Sequence, residues 1–188
     1  MPQRTFLALD LEEATLDRLE AVGRELADAG SGARWVGREN LHLTLTFLGD
    51  VPDERLAQVC DLTAGAAGLV QPFEYGVRGL QAVPPAGPLR MIWAGVLEPS
   101  LHLAELQANL AAAMAGLGLR QEERAFRPHI TLARIKGGQG AQALRQGARQ
   151  HAQTDFGTQY AEEVVVYGSR LTPQGPVYTP VSRAPLGK

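Results

Sequence analysis

Two short stretches carry the same chemistry-bearing pattern. His42-Leu43-Thr44-Leu45 returns 87 residues later as His129-Ile130-Thr131-Leu132. In an extended strand, residues two apart share a face. His42 and Thr44 therefore project together, as do His129 and Thr131, while Leu43, Leu45, Ile130 and Leu132 turn to an apolar side. Each stretch offers an imidazole and a hydroxyl on a hydrophobic backing. One such pattern is a weak signal, but two among only four histidines are hard to ascribe to accident. Imidazoles titrate near neutral pH, so one can be neutral while the other is protonated. A pair facing each other across a cleft would let water attack phosphorus on one side while a leaving oxygen is protonated on the other. The hydroxyls of Thr44 and Thr131 suit non-bridging phosphate oxygens, and Arg134 adds charge to those contacts.

Phe47 lies five residues after His42, and Arg134 five after His129. At these equivalent positions an aromatic ring and a guanidinium could hold a nucleobase between them. An odd offset points to the other face under strict alternation. A bulge or a strand end must therefore intervene, and Gly49 gives room for one on one side only. The other polar candidates read more plainly. Arg127 belongs at a cleft rim or in solvent, with solvent expected, and His102 belongs on a helix surface. His151 sits at a helix end, where a cation suits the dipole. Trp35 and Trp93 read as core anchors, with the border of a groove as the alternative. Gly137-Gly138-Gln139-Gly140 lacks the Lys-Ser/Thr ending of a phosphate-cradling loop and reads as a linker. Cys60 is the single cysteine, so no intrachain disulfide and no multi-thiolate metal site can form. No acidic residue shares the motif faces to complete a metal site, and no cofactor is implied.

The elements that must position these residues follow from periodicity. Strands are expected over 6–11, 35–36, 40–48, 73–83, 89–97, 126–135, 162–171 and 177–184. Helices are expected over 12–29, from Asp53 as N-cap to about 68, from Pro99-Ser100 to about 115, and over 140–151. Gly30, Ser31 and Gly32 stop the first helix, and Gly49, Asp50 and Pro52 form a turn. Each half reads strand, helix, strand, helix, strand, with the Pro84–Pro88 loop as the clearest interruption. The expected architecture is α+β: one bilobed domain over 1–188, with pseudo-twofold halves 1–85 and 89–188. Two mainly antiparallel sheets would flank a central cleft, with helices outside and some strands exchanged between lobes.

Composition bounds the function. The chain has 188 residues, 45% hydrophobic and 20% charged, which suits one folded domain and excludes disorder. No apolar run reaches the roughly 18 residues of a membrane span, and the first apolar run reads as a strand rather than a signal peptide. A cytoplasmic, monomeric protein is expected, with no protein partner implied. The net charge of −2 disfavours a long nucleic-acid groove. Residues 120–149 are distinctly basic: Arg120, Arg124, Arg127, Arg134, Lys136, Arg145 and Arg149 stand against Glu122 and Glu123. A local basic patch suits a small anionic ligand better than a long polyanion.

Asn40-Leu41-His42-Leu43-Thr44-Leu45-Thr46-Phe47-Leu48-Gly49 and Phe126-Arg127-Pro128-His129-Ile130-Thr131-Leu132-Ala133-Arg134 resemble the paired motifs of the two-histidine phosphoesterases. The branch they are most similar to is the RNA 2′,3′-cyclic phosphodiesterases, also called 2′-5′ RNA ligases. The likeness extends over Ala33-Arg34-Trp35-Val36, Trp93-Ala94-Gly95-Val96 and Gly175-Pro176-Val177-Tyr178-Thr179-Pro180. The resemblance implies a bilobed α+β fold and metal-independent opening of a 2′,3′-cyclic phosphate to a 2′-phosphate, with RNA ends or small cyclic nucleotides as substrates. It also implies that His42 is the general acid and His129 the general base. The residues alone leave that assignment open, because the two motifs are nearly equivalent. Three alternatives remain at this point: 2′-5′ joining of RNA halves at the same site, a non-catalytic binder of phosphorylated nucleotides, and a metalloenzyme using both histidines as ligands.

Overall fold

Alternating apolar positions build most of one sheet. The computed structural model describes residues 2–29, 32–97, 101–119, 125–173 and 175–188. The Gly30-Ser31 helix stop, the Pro99-Ser100 helix opening, and Arg120, Glu122, Glu123 and Arg124 of the basic stretch lie outside the described residues. Nine strands are described: β1 (Gln3–Leu9), β2 (Ala33–Trp35), β3 (Leu43–Val51), β4 (Phe73–Val83), β5 (Met91–Leu97), β6 (His129–Ile135), β7 (Asp155–Ala161), β8 (Glu163–Thr172) and β9 (Gly175–Pro185). The helices are α1 (Glu13–Ala29), α2 (Asp53–Gly68), α3 (His102–Ala115) and α4 (Ala141–Gln150). The fold is thus mixed, with a curled antiparallel sheet and helices packed against it.

The strand order is β7-β4-β5-β6-β3-β1-β8-β9, with β2 also paired to β6. Every pairing among the described residues is antiparallel. The two four-strand sets meet at the residue pair Leu43 with Ile130, which are the central apolar residues of the two motifs. Both are fully buried. Extended one step in either direction, that register sets His42 opposite Thr131 and Thr44 opposite His129. The motifs therefore lie side by side where the two sets join.

Elements are traded across this junction. β2 comes from the first half of the chain but pairs with β6 through Ala33–Ile135 and Trp35–Ala133. α1 follows β1 yet packs on β7 and α4, and α3 follows β5 yet packs on α2 and β3. The tie between α1 and β7 is a buried polar set: Thr15 Oγ1 donates to the Phe156 carbonyl at 2.8 Å, and Gln159 Nε2 donates to Thr15 Oγ1 at 2.7 Å. The Glu12 amide donates to Gln159 Oε1 at 2.7 Å.

Several sequence expectations need correction. Gly49 and Asp50 are not a turn but the last part of β3, which runs to Val51. Gly49 has φ +71°, so the strand absorbs an irregularity there and continues. Asn40 closes a short 3-10 turn, Arg38–Asn40, before the strand begins. Pro52, not Asp53, holds the N-cap position of α2. β7 escapes the periodicity reading altogether. Its inward positions are Phe156, Gln159 and Ala161, so one is polar, and Gly157 at φ +115° breaks the alternation.

Candidate active site

Each imidazole is fixed from behind by the residue two before it. His42 Nδ1–H donates to the Asn40 carbonyl at 2.7 Å, and His129 Nδ1–H donates to the Arg127 carbonyl at 2.6 Å. The two bonds have the same form and select the same tautomer. Nε2 is the nitrogen of each ring left clear of that carbonyl. In His42 it meets Thr44 Oγ1 at 2.9 Å, so the expected same-face pairing of imidazole and hydroxyl is present in the first motif. His42, Thr44, His129 and Thr131 are all partly accessible. Leu43, Leu45, Ile130 and Leu132 are buried, as the alternation requires.

The odd offset of Phe47 and Arg134 is resolved by a repeated device. In the ladder of β1 with β3, Ala8 pairs with Thr44 and Leu7 with Thr46, so Leu45 is an extra residue. In the ladder of β5 with β6, Trp93 pairs with Thr131 and Ile92 with Ala133, so Leu132 is extra. Both bulges fall on the residue directly after the motif threonine. Each inserts one residue and turns the next outward position onto the histidine face. Phe47 pairs with Phe6 and is 51% exposed; Arg134 pairs with Met91 and is exposed. The structure therefore brings His42, Thr44, Phe47, His129, Thr131 and Arg134 to one face.

Aromatic rings frame the two imidazoles. Phe6 stacks on His42 with centroids 4.8 Å apart, and Tyr178 meets His42 edge-on at 5.4 Å. Tyr167 stacks on Phe6 at 5.3 Å and donates its hydroxyl to Asp10 Oδ1 at 2.7 Å. On the other side Trp93 stacks on His129 at 3.7 Å, nearly parallel. Trp93 thus borders the site rather than anchoring the core. Trp35 does pack against the core. The expectation that Arg127 is exposed holds for its side chain, while its carbonyl serves His129. His102 is half-buried and stacks on Phe73, and His151 caps α4 and faces Glu25 at 3.2 Å, so both have roles away from the site.

Burial lowers both imidazoles from their ordinary value of 6.5. The bonds to Asn40 and Arg127 act the other way. The Arg134 guanidinium pushes both further down and also lowers the phenol of Tyr178, whose burial raises it. Arg134 therefore acts electrostatically on both imidazoles. The surrounding charges then differ. Asp10 favours protonated His42, whereas Arg127 disfavours protonated His129.

Sequence reasoning missed Phe6, Asp10, Tyr167 and Tyr178. Phe6 sits near the first motif in the ladder, and Asp10 directly follows Leu9, which pairs with Leu43, whereas nothing in the chain order of Tyr167 and Tyr178 signals that they reach His42. The profile of the family described as "LigT like Phosphoesterase" matches residues 9–93 and 97–178. The chain belongs to the LigT-like phosphoesterase family. A relative from Methanothermobacter thermautotrophicus, named RNA 2′,3′-cyclic phosphodiesterase, is 33% identical and covers 95% of this chain and 96% of its own. One of the same name from Thermotoga maritima is 30% identical, over 93% and 91%. Among solved structures, TT0787 of Thermus thermophilus superposes with a TM-score of 0.82 at 30% identity, covering 98% of both chains. E. coli LigT complexed with 3′-AMP gives 0.76 at 25% identity, covering 100% of both. Both motifs of this LigT-like chain, with the bulges after them, fall inside the matched residues.

Proposed function

We propose that the protein opens 2′,3′-cyclic phosphates at RNA ends, or on nucleotides, to 2′-phosphates by acid–base catalysis with two histidines and no metal. The observation that carries this reading is the pair of imidazoles on one face, locked in the same tautomer by the carbonyls of Asn40 and Arg127. Water attacks phosphorus and loses its proton to neutral His129 Nε2. The bond from phosphorus to O3′ breaks, and His42 Nε2–H gives its proton to O3′. Atoms balance: one water is added, and the product carries a 2′-phosphate and a free 3′-hydroxyl. The hydroxyls of Thr44 and Thr131 and the guanidinium of Arg134 hold the non-bridging oxygens, whose charge grows in the transition state. Phe47, exposed on the same face, offers a ring to the base.

The division of labour has electrostatic support. The carboxylate of Asp10 favours a proton on His42, and the guanidinium of Arg127 disfavours one on His129. These two charges pull in the senses an acid and a base require, against the burial that lowers both rings and weighs most on each. The lone Cys60 fits action in the cytoplasm, and among the described residues no helix is long and apolar enough to cross a membrane.

The test is incubation with a nucleoside 2′,3′-cyclic phosphate in excess chelator, separating the 2′- from the 3′-phosphate. Turnover to the 2′-phosphate is expected. His42→Ala and His129→Ala should each cut kcat by roughly 10²–10⁴-fold, and the double variant should lose far less than the product of the two. Release of the 3′-phosphate, or activity lost to the chelator, overturns the reading.

A further inference from the structure

Beyond His129 the histidine face continues as a recess of about 270 Å³, lined among others by Arg78, Gln81, Trp93, Gly95 and Arg127. The register shows how it is laid out. Trp93 pairs with Thr131 on one side and Gln81 on the other. Gly95 pairs with His129, and on its other side the ladder with β4 is interrupted between Val77 and Leu80, which leaves Arg78 and Gly79 opposite. Two rows thus cross the sheet from the site outward: Thr131, Trp93, Gln81, and His129, Gly95, Arg78. Gly95 keeps the floor open. A Cβ there would lie 2.7 Å from the Arg78 carbonyl and 3.2 Å from Gln81 Nε2. Arg78 and Gln81 are exposed, and Arg78 Nε donates to the Gln153 carbonyl at 3.3 Å, which steadies the guanidinium. Among the described residues no carboxylate pairs with Arg78 or Arg127.

We infer that this recess is a second phosphate subsite, which takes the phosphate on the 5′ side of the ribose bearing the cyclic end. The inference rests on the proposed function and deepens it by choosing among substrates. A nucleoside 2′,3′-cyclic phosphate has one phosphate, and the two-histidine face accounts for it. The guanidinium groups of Arg78 and Arg127 have no charge to meet in that molecule. An RNA end has one more phosphate per nucleotide, and the nearest is attached to O5′ of the same ribose. Arg78 lies two strands from His129, about 10 Å at the usual strand spacing of roughly 4.8 Å, a span that one ribose and an extended guanidinium bridge. Gln81 adds an amide donor beside it. The recess makes the protein selective for RNA ends over free cyclic nucleosides.

The experiment compares three substrates in chelator: a nucleoside 2′,3′-cyclic phosphate, the same compound with a 5′-phosphate, and a dinucleotide with the same cyclic end. The wild-type kcat/KM is expected to be about tenfold higher for the latter two, as a charge-assisted phosphate contact allows. Arg78→Ala should remove that advantage and leave turnover of the plain cyclic nucleoside within about twofold. That retained turnover also shows that the variant folds. The dinucleotide advantage should shrink with salt, by about 0.7 in the log–log slope for the one extra contact. Equal kcat/KM on all three substrates overturns the subsite while leaving the proposed function standing. So does an advantage confined to the dinucleotide, which would place a base rather than a phosphate in the recess, or a loss in Arg78→Ala that is the same for all three. Failure of the wild type to turn over any of them overturns the proposed function and this inference together.

Discussion

The carbonyls of Asn40 and Arg127 decide which nitrogen of each imidazole can exchange a proton, and the charges nearby decide at what pH. Both rings sit below 6.5, chiefly through burial, and Arg134 lowers both further. In the proposed mechanism the free enzyme works when one ring is protonated and the other neutral, so the kcat/KM profile is expected to be a bell whose maximum lies between the two values. With both values depressed, that maximum is expected below pH 6.5. Arg134→Gln removes a positive charge that disfavours protonation, so both limbs should move to higher pH even as the rate falls. Asp10→Asn removes a negative charge that favours it at His42, so one limb should move to lower pH. Measuring kcat/KM from pH 4 to 9 checks all three. A maximum above 7, or limbs that move the other way, would contradict this account of the site. Asp10 also accepts hydrogen bonds from Tyr167 and Arg183, so the variant needs a stability check alongside.

Strand registers explain what could be read from the chain and what could not. The repeated His-x-Thr pattern was legible because alternation needs only neighbouring residues, and the buried Leu43 and Ile130 answer to it directly. The bulges at Leu45 and Leu132 were not legible. A leucine marks neither, and each is defined by a partner strand, β1 for one and β5 for the other. Without them Phe47 could not be placed on the histidine face, although the need for a bulge was evident from its odd offset. Phe6 was equally hidden, and Trp93 stayed open between core and groove border, because stacking on an imidazole is a cross-strand relation. β7 was missed for a local reason: a fully buried glutamine stands where an apolar residue would mark a strand. That glutamine gives an element-level prediction. Gln159 and Thr15 join α1 to β7 in the interior, and Thr15→Val removes the acceptor of the Gln159 amide. An unpaired buried donor costs about 1–3 kcal/mol. Urea denaturation of Thr15→Val should show a lower midpoint with an unchanged slope. A midpoint equal to wild type would show that the amide finds another partner.

Across the whole molecule, the basic character of residues 120–149 does not all serve one surface. Arg145 donates to the carbonyls of Pro84, Pro85 and Gly87 and so tethers the loop between β4 and β5. Arg149 donates back to the Arg145 carbonyl. Of the described basic residues in that stretch, Arg134 bears on both imidazoles and Arg127 lines the recess. With a net charge of −2 over the chain, the attraction for RNA is local and short-ranged. The number of phosphates neutralised is therefore small, and the salt dependence of binding counts it. For an inactive variant such as His129→Ala, binding a short RNA with a cyclic end, the log–log slope against salt should be about −2, reflecting two or three contacts. Arg134→Ala should flatten that slope by about one unit and weaken all base sequences alike. Phe47→Ala should leave the slope unchanged and lower affinity by about 1–3 kcal/mol where a base stacks on the ring. Lengthening the RNA beyond a few nucleotides should gain almost nothing, because a chain of net negative charge offers little attraction away from the two phosphate sites. A steep slope, with RNA of tRNA size bound far more tightly than a dinucleotide, would instead mean a broad contact surface, and would favour joining of RNA halves over hydrolysis of their ends.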